Sequence, residues 1–265
     1  MDWSKIKTIF ILTFLVLNIY LLYEFLKIND ANNYEFITET SFEDKLTTEE
    51  IGYVELPKNE IKDAYVSANP KVFNKDEISL KLKGQMISIT DDTIVESILS
   101  EPVRISGEMK PAELNLFVKN RVTLGEHYKF FEYNKSEKTV TFYQQFQNKV
   151  LYKNKNGNLT LFLNDHNEIV SYQQTFLEEI ERLSEVQEVL PPLKAIETLY
   201  DNGLLAPKSK ITKVELGYFT LVQLTASQVL TPTWRIVVDN RENLFVNAFE
   251  GQIIKLNEEE KKLVE

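Results

Sequence analysis

The sequence predicts an α+β protein: a single N-terminal transmembrane helix followed by an ectodomain of two related helix-plus-antiparallel-meander units. Three observations predict it. An uncharged apolar run covers Thr8 to Tyr23. A helical pattern opened by Pro111 and closed by Gly125 leads into alternating strand patterns as far as Phe176. The same order recurs from Pro191–Pro192 through Gly203 to Leu256. The expected divisions are residues 1–7 as a cytoplasmic N-terminus, 8–26 as a transmembrane signal anchor, 27–50 as a stalk, 51–185 as the first α+β unit and 186–265 as the second.

The apolar run comes first in the chain. Ile6 and Phe25–Leu26 extend it to about 20 residues, enough at ~1.5 Å per residue to cross a ~30 Å hydrocarbon core. Lys7 and Glu24 interrupt it near its ends, where such side chains snorkel, and Trp3, Tyr20 and Tyr23 suit the headgroup belts. A cleaved signal peptide would need a small residue shortly after the run, and Leu21-Leu22-Tyr23-Glu24-Phe25-Leu26 offers none. Lipidation through a lipobox needs a cysteine, and the chain has none. Lys5 and Lys7 precede the span and only Lys27 closely follows it, so the positive-inside rule places the N-terminus in the cytoplasm.

Residues 28–50 read as a solvated acidic stalk with a short strand around Tyr34–Ile37. Ile78, Leu80 and Leu82 alternate with Ser79, Lys81 and Lys83, which predicts a strand turning at Gly84 into a return strand at Met86–Ile89. In the Pro111 helix, Leu114, Phe117, Val118 and Val122 share one face. Strands are expected at His127–Tyr133, Thr139–Phe146, Lys149–Lys153, Leu159–Leu163 and Glu168–Phe176. The second helix carries Leu193, Ile196, Leu199 and Tyr200 on one face. Its strands are expected at Ile211–Gln223, Pro232–Asp239, Leu244–Phe249 and Gln252–Leu256. The last hairpins of the two units superpose in sequence: Asn158-Leu159 leading to Asn164 and Glu168-Ile169-Val170 matches Asn243-Leu244 leading to Asn247 and Gln252-Ile253-Ile254. This match suggests a duplication.

Composition narrows the function. The 265 residues are 43% hydrophobic and 26% charged, with a net charge of −10, which disfavours nucleic acid as a partner. The absence of cysteine excludes disulfide frameworks, thiolate nucleophiles and Cys-ligated zinc, and two histidines leave little for metal or multi-His chemistry. Asp165, His166 and Glu168 have ligand types that a divalent cation could use, but their spacing reads first as a polar hairpin turn. Glu178, Glu179, Glu181, Glu185 and Glu188 read as a solvated helical face rather than an acid/base pair. Trp234 alternates with Ile236 and Val238, as a core residue does. No HExxH, P-loop, GxGxxG or GxSxG pattern occurs. No catalytic residue, metal or cofactor is expected.

The polar residue inside the span is the one candidate for a contact. Asn18 lies near mid-membrane, where an amide gains from a partner on another helix. Thr8, Ile11, Leu15, Asn18, Leu22 and Phe25 follow its stripe at 3–4 spacing, so this stripe is the candidate partner-binding surface.

The opening MDWSKIKTIFILTFLVLNIYLL and the closing TPTWRIVVDN with LFVNAFEGQII resemble the YycI (WalI) regulatory proteins of Gram-positive bacteria. The closing unit also resembles the fold shared with YycH and the PepSY-type extracytoplasmic modules. The resemblance implies a membrane-anchored accessory regulator, not an enzyme, of the WalK–WalR (YycG–YycF) two-component system that governs cell-wall metabolism. It would act with a YycH-type partner and touch the sensor histidine kinase partly through transmembrane helices. The alternative is a PepSY-like extracytoplasmic inhibitor or chaperone of a secreted wall enzyme. A third class, an anchored wall hydrolase, has little in the sequence to support it.

Overall fold

The computed structural model describes residues 3–33, 41–57, 60–105, 110–223 and 227–255. These fall into two compact units, Met1–Glu50 and Ile51–Glu265. In the first, helix α1 runs Trp3–Asn33 and helix α2 runs Phe42–Thr48. The start of α2 is set by a capping box: the Ser41 hydroxyl accepts from the Asp44 N–H, and the Asp44 carboxylate accepts from the Ser41 N–H. The stalk thus contains a helix. The strand expected at Tyr34–Ile37 lies outside the described residues. Among the described residues no helix is long and apolar enough to cross a membrane.

The second unit is mixed α and β, with a large, mostly antiparallel sheet. Three strands come first: β1 (Gly52–Tyr53), β2 (Lys62–Asp63) and β3 (Val66–Pro70). Helix α3 (Lys75–Lys81) is followed by β4 (Gln85–Thr90) and β5 (Ile94–Arg104). Helix α4 (Pro111–Arg121) leads through one 3-10 turn into β6 (Tyr128–Asn134), β7 (Thr139–Phe146), β8 (Lys149–Tyr152), β9 (Asn158–Leu163), β10 (Glu168–Gln174), β11 (Leu177–Arg182) and β12 (Gln187–Glu188). Helix α5 (Pro192–Asp201) precedes β13 (Lys210–Gln223), β14 (Gln228–Val238), β15 (Glu242–Asn247) and β16 (Ile253–Ile254). The main strand order is β11-β3-β14-β13-β8-β7-β9-β10-β5-β4.

The expected strand over residues 78–82 is helix α3 instead. Asn74 supplies a side-chain cap to the N–H groups of Asp76 and Glu77, two acidic residues sit in the first turn, and Lys81 sits in the last. Only Ile78 needs burial, whereas Leu80 is 79% exposed, so the alternating leucines never had two faces to sort. The return strand is real, but β4 pairs with β5. The carboxylates expected on a helical face lie partly on β11, a strand bulged between Glu178 and Glu181.

Helix α4 buries Leu114, Phe117 and Val118 against Val140, Phe142, Leu159, Leu161, Ile169 and Tyr172 of the sheet. Pro111 opens this helix, since a first-turn residue needs no N–H partner. At Gly125 the chain folds back so closely that a Cβ there would lie 2.0 Å from the Val118 carbonyl oxygen.

The last four strands form an antiparallel meander, β13-β14-β15-β16. Its outer connections are less regular. Strand β13 pairs in parallel with β8 and with β1, and β14 pairs antiparallel with β3. The boundary expected at residue 185 therefore crosses a continuous sheet. The parallel approach of β8 requires Gly217, where a Cβ would meet the Tyr152 ring at 2.3 Å and the Val150 carbonyl oxygen at 2.5 Å.

Candidate interaction surfaces

Helix α1 has an apolar face that no other described part of its unit covers. Ile11, Leu15, Asn18 and Leu22 lie along it, beside Phe10, Phe14 and Ile19. Ile11, Leu15 and Leu22 are each at least half exposed. Four members of the stripe are thus on one face, as 3–4 spacing demands. The side chains of Thr8 and Phe25 lie outside the described residues. From Phe10 to Tyr23 the described exposed stretch is ~21 Å long at ~1.5 Å per residue.

The hairpin at Asp165, His166 and Glu168 is a turn held by Asn164. The Asn164 side chain accepts from the N–H groups of His166 and Glu168 and donates to the Glu168 carboxylate at 2.9 Å. Asp165 is ion-paired with Lys138, whose hydrogen bond and charge hold its carboxyl below the usual range. Among the described residues no group of three metal-ligating side chains is placed to hold an ion.

The carboxylates before α5 are dispersed among separate partners. Glu178 pairs with Lys71, Glu179 accepts from Asn69 at 2.8 Å, and Glu188 lies 3.8 Å from Lys62. Trp234 is 1% exposed and donates its indole N–H to the Leu190 carbonyl at 2.8 Å, as a core residue does.

Two charged clusters went unread in the sequence because their members are far apart in the chain. In the first, the Asp63 carboxylate takes Lys149 at 2.6 Å and the Tyr218 hydroxyl at 2.7 Å, joining β2, β8 and β13. Burial, reinforced by the bond to Asp63, pushes the Tyr218 hydroxyl above its ordinary pKa, so it remains a donor.

In the second, Glu215 gathers Arg235 at 3.1 Å, Lys129 at 3.4 Å and Lys213 at 3.7 Å. The Arg235 guanidinium also lies 4.5 Å from the Phe131 ring centre. Burial alone would raise the Glu215 pKa, but Lys129, Lys213 and Arg235 together hold it below the usual carboxylate range. A carboxylate with a folded pKa below its unfolded value of ~4.3 contributes stability that is present above that value. That contribution is lost as pH falls through the folded pKa. Glu215→Gln is therefore expected to flatten the decline of the urea unfolding midpoint between about pH 5 and pH 2. Parallel declines in the two proteins would show that Glu215 contributes nothing to acid sensitivity.

The family model described as YycI protein matches residues 30–249. No curated protein matches the chain. Among solved structures, an uncharacterized protein from Eubacterium rectale ATCC 33656 is similar at a TM-score of 0.45 and 11% identity, over 78% of this chain and 89% of that one. The Bacillus megaterium YpeB C-terminal domain is similar at a TM-score of 0.41 and 13% identity, over 83% of this chain and 97% of that one.

Proposed function

The chain belongs to the YycI family, a family of regulatory proteins, and from that premise we propose that it works by binding: with a YycH-type partner it modulates a WalK-type sensor histidine kinase that controls cell-wall metabolism. The observation that carries this reading is the family match across residues 30–249. In this reading residues 8–26 anchor the protein in the cell membrane, with the N-terminus inside and everything after the stalk outside.

We also propose that the two helix-plus-meander units are related and PepSY-like. In support, α4 precedes the antiparallel ladder β6-β7-β9-β10 just as α5 precedes β13-β14-β15-β16, with β8 as an added excursion in the first. Asn164, just after the third strand of the first ladder, and Asn247, at the end of the third strand of the second, do the same work. Asn164 accepts from the N–H groups of His166 and Glu168, and Asn247 accepts from those of Phe249 and Glu250. Each also donates its own N–H across the turn, to the Glu168 and Gln252 carbonyls respectively.

Purification of the full chain from gently solubilised membranes tests the binding reading. A kinase and a YycH-type protein are expected to co-purify. Recovery of a secreted hydrolase or protease in their place would favour the inhibitor or chaperone reading.

The Asn18 face has its own test. An interhelical hydrogen bond in a membrane is worth ~0.6 kcal/mol on average, so Asn18→Leu should weaken kinase association about threefold without abolishing it. Thr13→Leu, roughly 140° away around the helix, serves as the control. Equal signals for both variants in a membrane cross-linking titration would remove Asn18 from the interface.

A further inference from the structure

The face of the sheet opposite α4 holds an open cleft of about 270 Å³ that the regulatory reading does not use. The residues that alternate with the buried Val140, Phe142, Leu159 and Leu161 form its floor: Thr139, Thr141, Tyr143, Asn158, Thr160 and Phe162. Register fixes their arrangement. Thr141 sits opposite Thr160, Thr139 opposite Phe162, and Thr160 opposite Gln173 on the next strand. Threonine is common on any half-exposed strand face. The concavity, and a Phe162 ring left 38% exposed among hydroxyls, are less ordinary.

The lining restricts what fits. Glu132 and Lys153 neutralise each other at 3.6 Å, and Glu137 and Lys155 supply one more charge of each sign, so the site has no net attraction for an ion. Strands β7 and β9 are interior, each hydrogen-bonded to neighbours on both sides. Their backbone groups are already paired, so an added peptide strand has no edge to join here. Recognition is left to hydroxyls, amides and two aromatic rings, the exposed Phe162 and the largely buried Tyr143. The volume falls just below the ~300–1,000 Å³ usual for small-molecule sites, which limits the ligand to a small one.

We propose that this cleft binds a neutral saccharide of one or two rings. The C–H face of a ring packs on Phe162, and its hydroxyls exchange hydrogen bonds with Thr139, Thr141, Thr160 and Gln173. This goes beyond the regulatory reading and does not depend on the kinase.

The test is saturation-transfer NMR on the full chain in phosphatidylcholine nanodiscs, free of glycoside detergent, with N,N′-diacetylchitobiose as the probe. Saturable binding with a Kd on the order of 1 mM is expected. Thr141→Val and Thr160→Val should each weaken it about fivefold, the consequence of one lost hydrogen bond of ~1 kcal/mol. Phe162→Leu should weaken it as well. Thr141→Ser, which keeps the hydroxyl, and Ser88→Ala, on the same sheet face outside the cleft, should leave it unchanged. The proposal is overturned if the folded protein shows no saturable signal or if the valine variants bind as the parent does. Displacement of the sugar by inorganic phosphate would also overturn it, since that marks an anion site.

Discussion

Deletion of residues 1–27 is expected to move the protein from the membrane to the soluble fraction almost completely. Each Leu, Ile, Phe or Val near the centre of a span favours insertion by roughly 0.3–0.6 kcal/mol, and the run from Ile6 to Leu26 holds enough of them to offset the amide of Asn18. No second run of this kind occurs in the sequence, so the proposed anchor predicts release on its removal. The full chain should resist extraction by alkaline carbonate, which strips peripheral proteins. If Lys5 and Lys7 hold the N-terminus inside, as proposed, protease added to intact, wall-stripped cells should degrade the chain from about residue 30 onward. A truncated protein that still sediments with membranes would end the anchor proposal. A fully protected residue 51–265 region would reverse the proposed orientation.

What the sequence made legible was local. The α4 and α5 helices announce themselves through Pro111 and Pro192, and the hairpins at Asn164 and Asn247 through their turn chemistry. What stayed hidden depends on partners far along the chain. The segment Ile78–Leu82 alternates like a strand, yet the cap at Asn74 and the single buried position at Ile78 make it helical. Strand β5 was unread because its run to Arg104 contains Glu96, Glu101 and Pro102 and owes its order to pairing with β4 and β10. The parallel contacts of β13 with β8 and β1 leave no periodic trace, since they join residues from opposite halves of the unit. On α1 nearly every stripe is apolar, so pattern alone could not single out one face, and the Asn18 amide took the place of a pattern.

The Asp63 cluster belongs to the same hidden class, and its removal should have the largest effect on stability. Asp63 is 8% exposed and accepts from Lys149 at 2.6 Å, from the Tyr218 hydroxyl at 2.7 Å and from the Ala64 N–H at 2.9 Å. Strand β2 pairs with β12 through only two residues, Lys62 and Asp63, so these side-chain bonds do much of the work of holding residues 60–64 to the sheet. Asp63→Ala strands the Lys149 ammonium, three-quarters buried, together with a buried Tyr218 hydroxyl. Breaking a fully buried pair costs about 3–5 kcal/mol, and the residual exposure of Lys149 reduces this to about 2–4 kcal/mol. Lys149→Met should cost less, because the carboxylate keeps two of its three donors. Combining the two changes should recover part of the loss, since no unpaired charge remains. Urea unfolding of the full chain measures all three. Hydrogen exchange should rise at residues 60–66 in Asp63→Ala before it rises in the α4 core. Equal losses in the two single variants, or strict additivity in the double, would mean that Asp63 and Lys149 do not act as a pair and that the segment is held by its backbone alone.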